Sequence, residues 1–104
     1  MKNIIIITGA SSGIGEEFAL QMDDYFSNVD EFWLIARRRE KLEELAGCLY
    51  HRTRILAMDI TKDAQLDRLE DTLMEQGGVV RMLLNCAGYG ILGDFASQNT
   101  AKAL

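Results

Sequence analysis

Eight residues near the start of the chain, Thr8-Gly9-Ala10-Ser11-Ser12-Gly13-Ile14-Gly15, have the types and spacing to wrap a phosphate. They follow four isoleucines. Glycines at 9, 13 and 15, lying between a buried run and an amphipathic one, let a backbone turn sharply and approach a ligand closely. Free amides at the start of the next helix would face that ligand, and the helix dipole favours negative charge there, so a pyrophosphate suits the loop. The spacing is not G-x-G-x-x-G. It is not a Walker loop either, because Gly15 is followed by Glu16 and not by Lys-Ser or Lys-Thr, which speaks against nucleotide hydrolysis. The bland alternative is a structural turn, but the position, opening the first helix of a βαβ unit, favours the phosphate.

A second group is Arg37-Arg38-Arg39, too short for a nucleic-acid stripe and large enough to hold one phosphate. The rest of the chain does not extend that basicity. A net charge of -5 and a pI near 4.7 argue against a polyanion-binding surface, whose affinity comes from clustered Lys and Arg. Cys48 and Cys86 stand apart, and with the single His51 they supply too few ligands for a metal site, so two reduced thiols are expected. No apolar run nears the roughly 20 residues of a membrane span, and the start of the chain is too short in apolar residues for a secretory signal. These features point to a cytoplasmic protein with neither nucleic acid nor membrane as partner.

The elements that must position these residues alternate. Asn3–Thr8 is a continuous β-branched run, the mark of a strand covered on both faces, and from Gly13 the residues Ile14, Phe18, Met22 and Phe26 recur every four positions, predicting a helix with these on its apolar face. Glu31–Ala36 reads as a second buried strand, and Leu42, Leu45 and Leu49 mark a helix within residues 39–49. Arg54–Met58 is a third strand, Leu66, Leu69 and Leu73 mark a third helix that should stop at Gly77-Gly78, and Val79–Asn85 is a fourth strand. The stretch from Phe95 to Leu104 could add one or two helical turns. Strict alternation implies parallel strands with right-handed crossovers, hence a single α/β domain with helices on both faces of the sheet, for which the expected strand order is 3-2-1-4. At 104 residues a modest core is feasible.

The octet matches T-G-x-x-x-G-x-G, and the chain resembles the short-chain dehydrogenase/reductase family over nearly its whole length, which implies a Rossmann-like parallel sheet, about half of the full doubly wound fold. "LIARRREKLEEL" is similar to that family's second strand and helix, "MDIT" to its D-[VI]-T element, and "LLNCAGYG" to its N-N-A-G element. The resemblance implies that Gly9, Ser11, Ser12, Gly13, Ile14 and Gly15 hold the phosphates and adenosine ribose of a nicotinamide dinucleotide. Asp59 and Ile60 would lie against the adenine, and Asn85, Ala87 and Gly88 would line the cofactor towards the nicotinamide ribose. For Asp59 a purely structural role, satisfying amides of the next turn, can coexist with this one. An acid at the end of the second strand would bond a 2′-hydroxyl and repel a 2′-phosphate. Here that end reads Ala36-Arg37-Arg38, which favours NADP(H) over NAD(H), whereas Arg39 suits a solvated helix start. Cys86 departs from the family's second Asn, which loosens the geometry expected of that loop.

The family's chemistry also needs a tyrosine followed four positions later by lysine, the ammonium lowering the phenol's pKa, with a serine positioning the substrate. Here Tyr25 is followed by Val29, Tyr50 by Arg54 and Tyr89 by Gly93, so no catalytic residue can be assigned. With half of a doubly wound sheet built and an open fourth-strand edge that invites self-association, the chain reads as the cofactor-binding part of a longer homo-oligomeric oxidoreductase that moves hydride between nicotinamide and a carbonyl or alcohol. The competing expectation is a non-catalytic nucleotide-binding or self-associating module.

Overall fold

The structure, a computed structural model, describes residues 1–86; Ala87, Gly88, Tyr89 and the 95–104 stretch lie outside the described residues. Four strands and three helices alternate: β1 (Lys2–Thr8), α1 (Gly13–Tyr25), β2 (Glu31–Ala36), α2 (Arg39–Ala46), β3 (Arg52–Ala57), α3 (Asp63–Gln76) and β4 (Gly78–Asn85). The sheet order is β3-β2-β1-β4 and every pairing is parallel, as the alternation of elements demands.

The isoleucine run explains why β1 is central. Ile4 and Ile6 face one side with Trp33, Ile35, Leu66, Leu69 and Leu73, under α3, while Ile5 and Ile7 face the other with Phe32, Leu34, Ala19, Leu42 and Leu45, under α1 and α2. Each of the four is at most 1% exposed, a burial that stabilises the fold by about 1.5–3 kcal/mol per side chain. Glu31 is the one acid in the fully buried β2. Its Oε2 accepts Lys2 Nζ at 3.1 Å and its Oε1 accepts the Trp33 indole N–H at 3.0 Å. Between Ile4 and Ile5 the β1–β4 register slips, so Arg81 is the unpaired residue and turns outward to donate to Asn3 Oδ1 at 2.8 Å. That bulge lets Met82 and Leu84 fall on the α1 side.

The α1 face differs from the four-residue spacing read in the sequence. Ile14 is 68% and Phe18 40% exposed, and the buried positions are Gly15, Ala19 and Asp23, with Met22 and Phe26 packed part-way against the core. A spacing of four drifts about 40° per step on a helix, so residues 14 and 26 cannot share one face. α2 also ends at Ala46, before Leu49. α3 stops at Gly77, as expected, in the left-handed conformation with φ +64°, its N–H donating to the Leu73 and Met74 carbonyls.

Candidate functional site

The glycine loop is built by its own side chains and by the strand beside it. Gly9 takes φ +64°, a conformation costly for any residue with a Cβ, and turns the chain off β1. Buried Ala10 then donates to the Ile35 carbonyl at 3.2 Å, which fastens the loop to β2. Ser12 caps α1: its hydroxyl donates to the Gly9 carbonyl at 2.8 Å and accepts the Gly15 N–H at 3.0 Å, while its carbonyl accepts Glu16 N–H at 2.9 Å. The amides of Gly13 and Ile14 are left without an acceptor among the described residues. The glycines differ in what demands them. A Cβ on Gly15 would lie 2.3 Å from the Gly9 carbonyl oxygen and 2.9 Å from Ala10 Cα, so Gly15 is required by packing. A Cβ on Gly13 would meet nothing within 4 Å.

A cleft of about 290 Å³ opens beside this loop, over the carboxyl ends of β1, β2 and β3. Gly9 and Ser11 line it from the loop, Ala36 and Arg37 from the end of β2, and Asp59 and Ile60 from the chain after β3. Asp59 Oδ1 accepts the Thr61 hydroxyl at 2.6 Å and the Thr61 N–H at 3.0 Å. Those two bonds, with smaller help from the Arg37 and Lys62 charges and against a small effect of burial, hold its carboxyl below the usual range. The structural role foreseen for Asp59 is therefore present, one turn ahead of α3. Arg38 does not line the cleft; its Nε lies 3.4 Å from Glu40 Oε1 on an exposed surface. Arg39 opens α2 and is exposed, as a solvated helix start would be.

Asn85 ends β4 on the far side of β1 from the cleft and is joined to the loop's strand, with Asn85 Oδ1 3.2 Å from the buried Thr8 hydroxyl. Cys86 N–H donates to the Thr8 carbonyl at 3.1 Å, and burial pushes the Cys86 thiol up. Loop, cleft and Asn85 thus share one end of the sheet. Tyr25 and Tyr50 stand at the other, at the close of α1 and before β3, both 80% exposed or more. A larger depression of about 620 Å³ also lies at that far end, but Lys2 there is engaged by Glu31 and Gln76. The sequence placed Thr61 in the MDIT element without giving it a role, and did not single out Gln65, whose side chain accepts the Asp59 N–H. The Asp-x-Thr spacing of residues 59–61 is the signal of an Asx turn and could have revealed the role of the first; the second had no signal. Among the described residues no cluster of His, Cys, Asp and Glu could hold a metal, and no helix is long and apolar enough to cross a membrane.

A parallel β3-β2-β1-β4 sheet whose first strand feeds a glycine loop and a helix N-terminus defines a Rossmann-like protein. The chain belongs to the short chain dehydrogenase family, whose model matches residues 3–103. It is similar to an uncharacterized oxidoreductase of Staphylococcus epidermidis, 24% identical over 97% of this chain and 43% of that protein. It is 37% identical to an 11-beta-hydroxysteroid dehydrogenase of Pinus massoniana, over 84% of this chain and 25% of that one. A metagenomic short-chain oxidoreductase solved in complex with NADP superposes with a TM-score of 0.66 at 26% identity, covering 85% of this chain and 40% of its own. The chain therefore spans less than half the length of these relatives.

Proposed function

We propose that this chain carries the adenine-nucleotide half of an NADP(H) site in a short-chain oxidoreductase acting on a carbonyl or alcohol. The observation that carries this reading is Gly13. Gly9 is explained by its positive φ and Gly15 by close packing, but no described atom of the chain needs residue 13 to lack a Cβ. Its amide and that of Ile14 are free at the start of α1. A phosphate resting on that helix end would need both the open space and the donors. The nicotinamide of such a cofactor, when bound, would give or take the hydride.

The residues around the cleft fit the remaining parts of the molecule. Asp59, kept ionised and acceptor-only, suits the exocyclic amine of adenine, with Ile60 beside it. Arg37 at the end of β2, where an acid would select the 2′-hydroxyl of NAD(H), offers a guanidinium to a 2′-phosphate. Arg38 would contribute charge and not a direct contact. Ser11 and Ser12 would face the ribose and phosphates, and Asn85, with Ala87 and Gly88 beyond it, would run towards the nicotinamide ribose. The reading further takes residues 1–104 as one cofactor-binding unit of a longer cytoplasmic, homo-oligomeric protein. The comparisons do not favour the non-catalytic module.

Gly13→Ala tests the reading directly. It should leave the urea unfolding midpoint in place, since the new methyl meets no described atom, and should weaken NADP(H) binding tenfold or more in a calorimetric titration. Unchanged affinity in a folded variant would remove the phosphate from this loop.

A further inference from the structure

Gln65 lies in the first turn of α3, half-buried, next to the buried Leu66 that pins this turn to the core. Its side chain does not serve its own helix. The N-cap of α3 is Lys62, which makes no side-chain capping bond, and Gln65 instead reaches back across the β3–α3 connection, where its Oε1 accepts the backbone N–H of Asp59. Asp59 is held elsewhere as well: its carbonyl accepts Lys62 N–H at 3.2 Å and its Oδ1 takes both Thr61 bonds. Its Oδ2 has no donor among the described residues.

The two clamps do different things. Thr61 sets the rotation of the carboxylate about its own bonds, whereas Gln65 sets the peptide plane from which the Asp59 side chain leaves the main chain. Without the carboxamide oxygen the half-buried Asp59 N–H has no acceptor, and its peptide plane would turn towards water to find one. The Cβ of Asp59 would move with it, and with it the free Oδ2. A shift of an ångström is enough to forfeit a directed hydrogen bond, whose strength falls steeply with distance and angle.

We infer that Gln65 is a positioning residue for base recognition: by holding the Asp59 main chain it aims the free carboxylate oxygen at the exocyclic amine of adenine, and so makes the cleft selective for adenine over a purine that lacks that amine. This rests on the reading that adenine lies against Asp59. Gln65 is not among the residues that line the cleft. A Glu at this position keeps an acceptor oxygen at the same reach, and a Met keeps length and helix preference but offers no acceptor.

The test compares the full chain's affinity for NADP with that for its hypoxanthine analogue, by titration calorimetry. The wild type should bind NADP about tenfold or more the tighter, the scale of one hydrogen bond to a charged acceptor. Gln65→Met should bring the ratio to within about twofold of unity, and Gln65→Glu should restore it. A purely structural role would weaken both nucleotides equally and leave the ratio alone; that result would overturn the inference while the Asp59 reading stood. A wild type indifferent to the amine would overturn the Asp59 reading, and this inference with it. Should Gln65→Met fail to fold, Gln65→Asn, polar but one methylene short of the Asp59 amide, carries the same comparison.

Discussion

The Thr8 hydroxyl lies 3.2 Å from Asn85 Oδ1 and 3.3 Å from the Leu84 carbonyl oxygen, so one buried proton ties the strand that feeds the glycine loop to the end of β4. Thr8 is fully buried, and its backbone carbonyl also accepts Cys86 N–H. Thr8→Val keeps the shape and removes the proton. We expect a loss of about 1 kcal/mol in urea unfolding, the net worth of one hydrogen bond in a buried setting. An unchanged midpoint would mean that the backbone ladder alone holds the two strand ends together.

Gly15 is held to glycine by the chain itself. The atoms a Cβ would meet, the Gly9 carbonyl oxygen and Ala10 Cα, are backbone and cannot swing aside as a side-chain tip can. Gly15→Ala should therefore destabilise by about 1–3 kcal/mol through overpacking, despite the better helix propensity of alanine. Thermal unfolding of this variant beside Gly13→Ala separates the two glycines. Equal stability of both would contradict the packing argument.

Arg37 and Arg38 are adjacent in sequence and part ways in the structure. Arg37 lines the cleft with Asp59, while Arg38 sits beside Glu40 in solvent. Under the proposed function, Arg37→Ala should weaken NADP(H) binding about 10- to 100-fold, as expected for charge-assisted bonds of about 1.5–3 kcal/mol, and leave NAD(H) within about twofold. Arg38→Ala should cost much less, because an exposed charge acts through a screened field. A larger loss from Arg38 than from Arg37 would reverse the assignment.

What the sequence disclosed depended on how local the signal was. The bounds of β2 and the stop of α3 follow from runs and punctuation within a few residues, and the glycine loop from its own octet, whereas the strand order was an expectation for the whole alternating chain. The buried face of α1 was misread in its first half because a four-residue spacing drifts around the helix, so Ile14 and Phe18 turn outward while Met22 and Phe26 pack against the core. The Asp23–His51 and Asp59–Gln65 bonds join residues 28 and 6 positions apart, across connections whose path no periodicity fixes. Gly13 was assigned to the loop by its spacing and its place at the start of a helix; that a Cβ there would meet no described atom needed coordinates.

Asp23 gives the fold a measurable acid dependence. It is a carboxylate in a buried face of α1, and it fastens the segment before β3: Oδ2 accepts Tyr50 N–H at 2.8 Å, and Oδ1 accepts His51 N–H at 2.9 Å and lies 2.7 Å from His51 Nδ1, whose ring stacks on Phe32. Burial pushes the carboxyl up, but the two amides and the imidazole together outweigh it and hold it below its ordinary value. A group with a depressed folded-state pKa adds stability that is complete above the unfolded value, about 3.9, and is lost as pH falls from there through the folded value. The urea midpoint should therefore drop as pH is lowered from about 5 to 3, and Asp23→Asn should flatten that profile. The variant should also be weaker at neutral pH by about 1–3 kcal/mol, because an amide NH₂ would face one of the backbone donors. Glu31, lowered in the same direction by Trp33 and Lys2 against its own burial, contributes equally to both proteins, so the difference between the two profiles belongs to Asp23. Parallel profiles would show that the clasp forms with its carboxyl unperturbed.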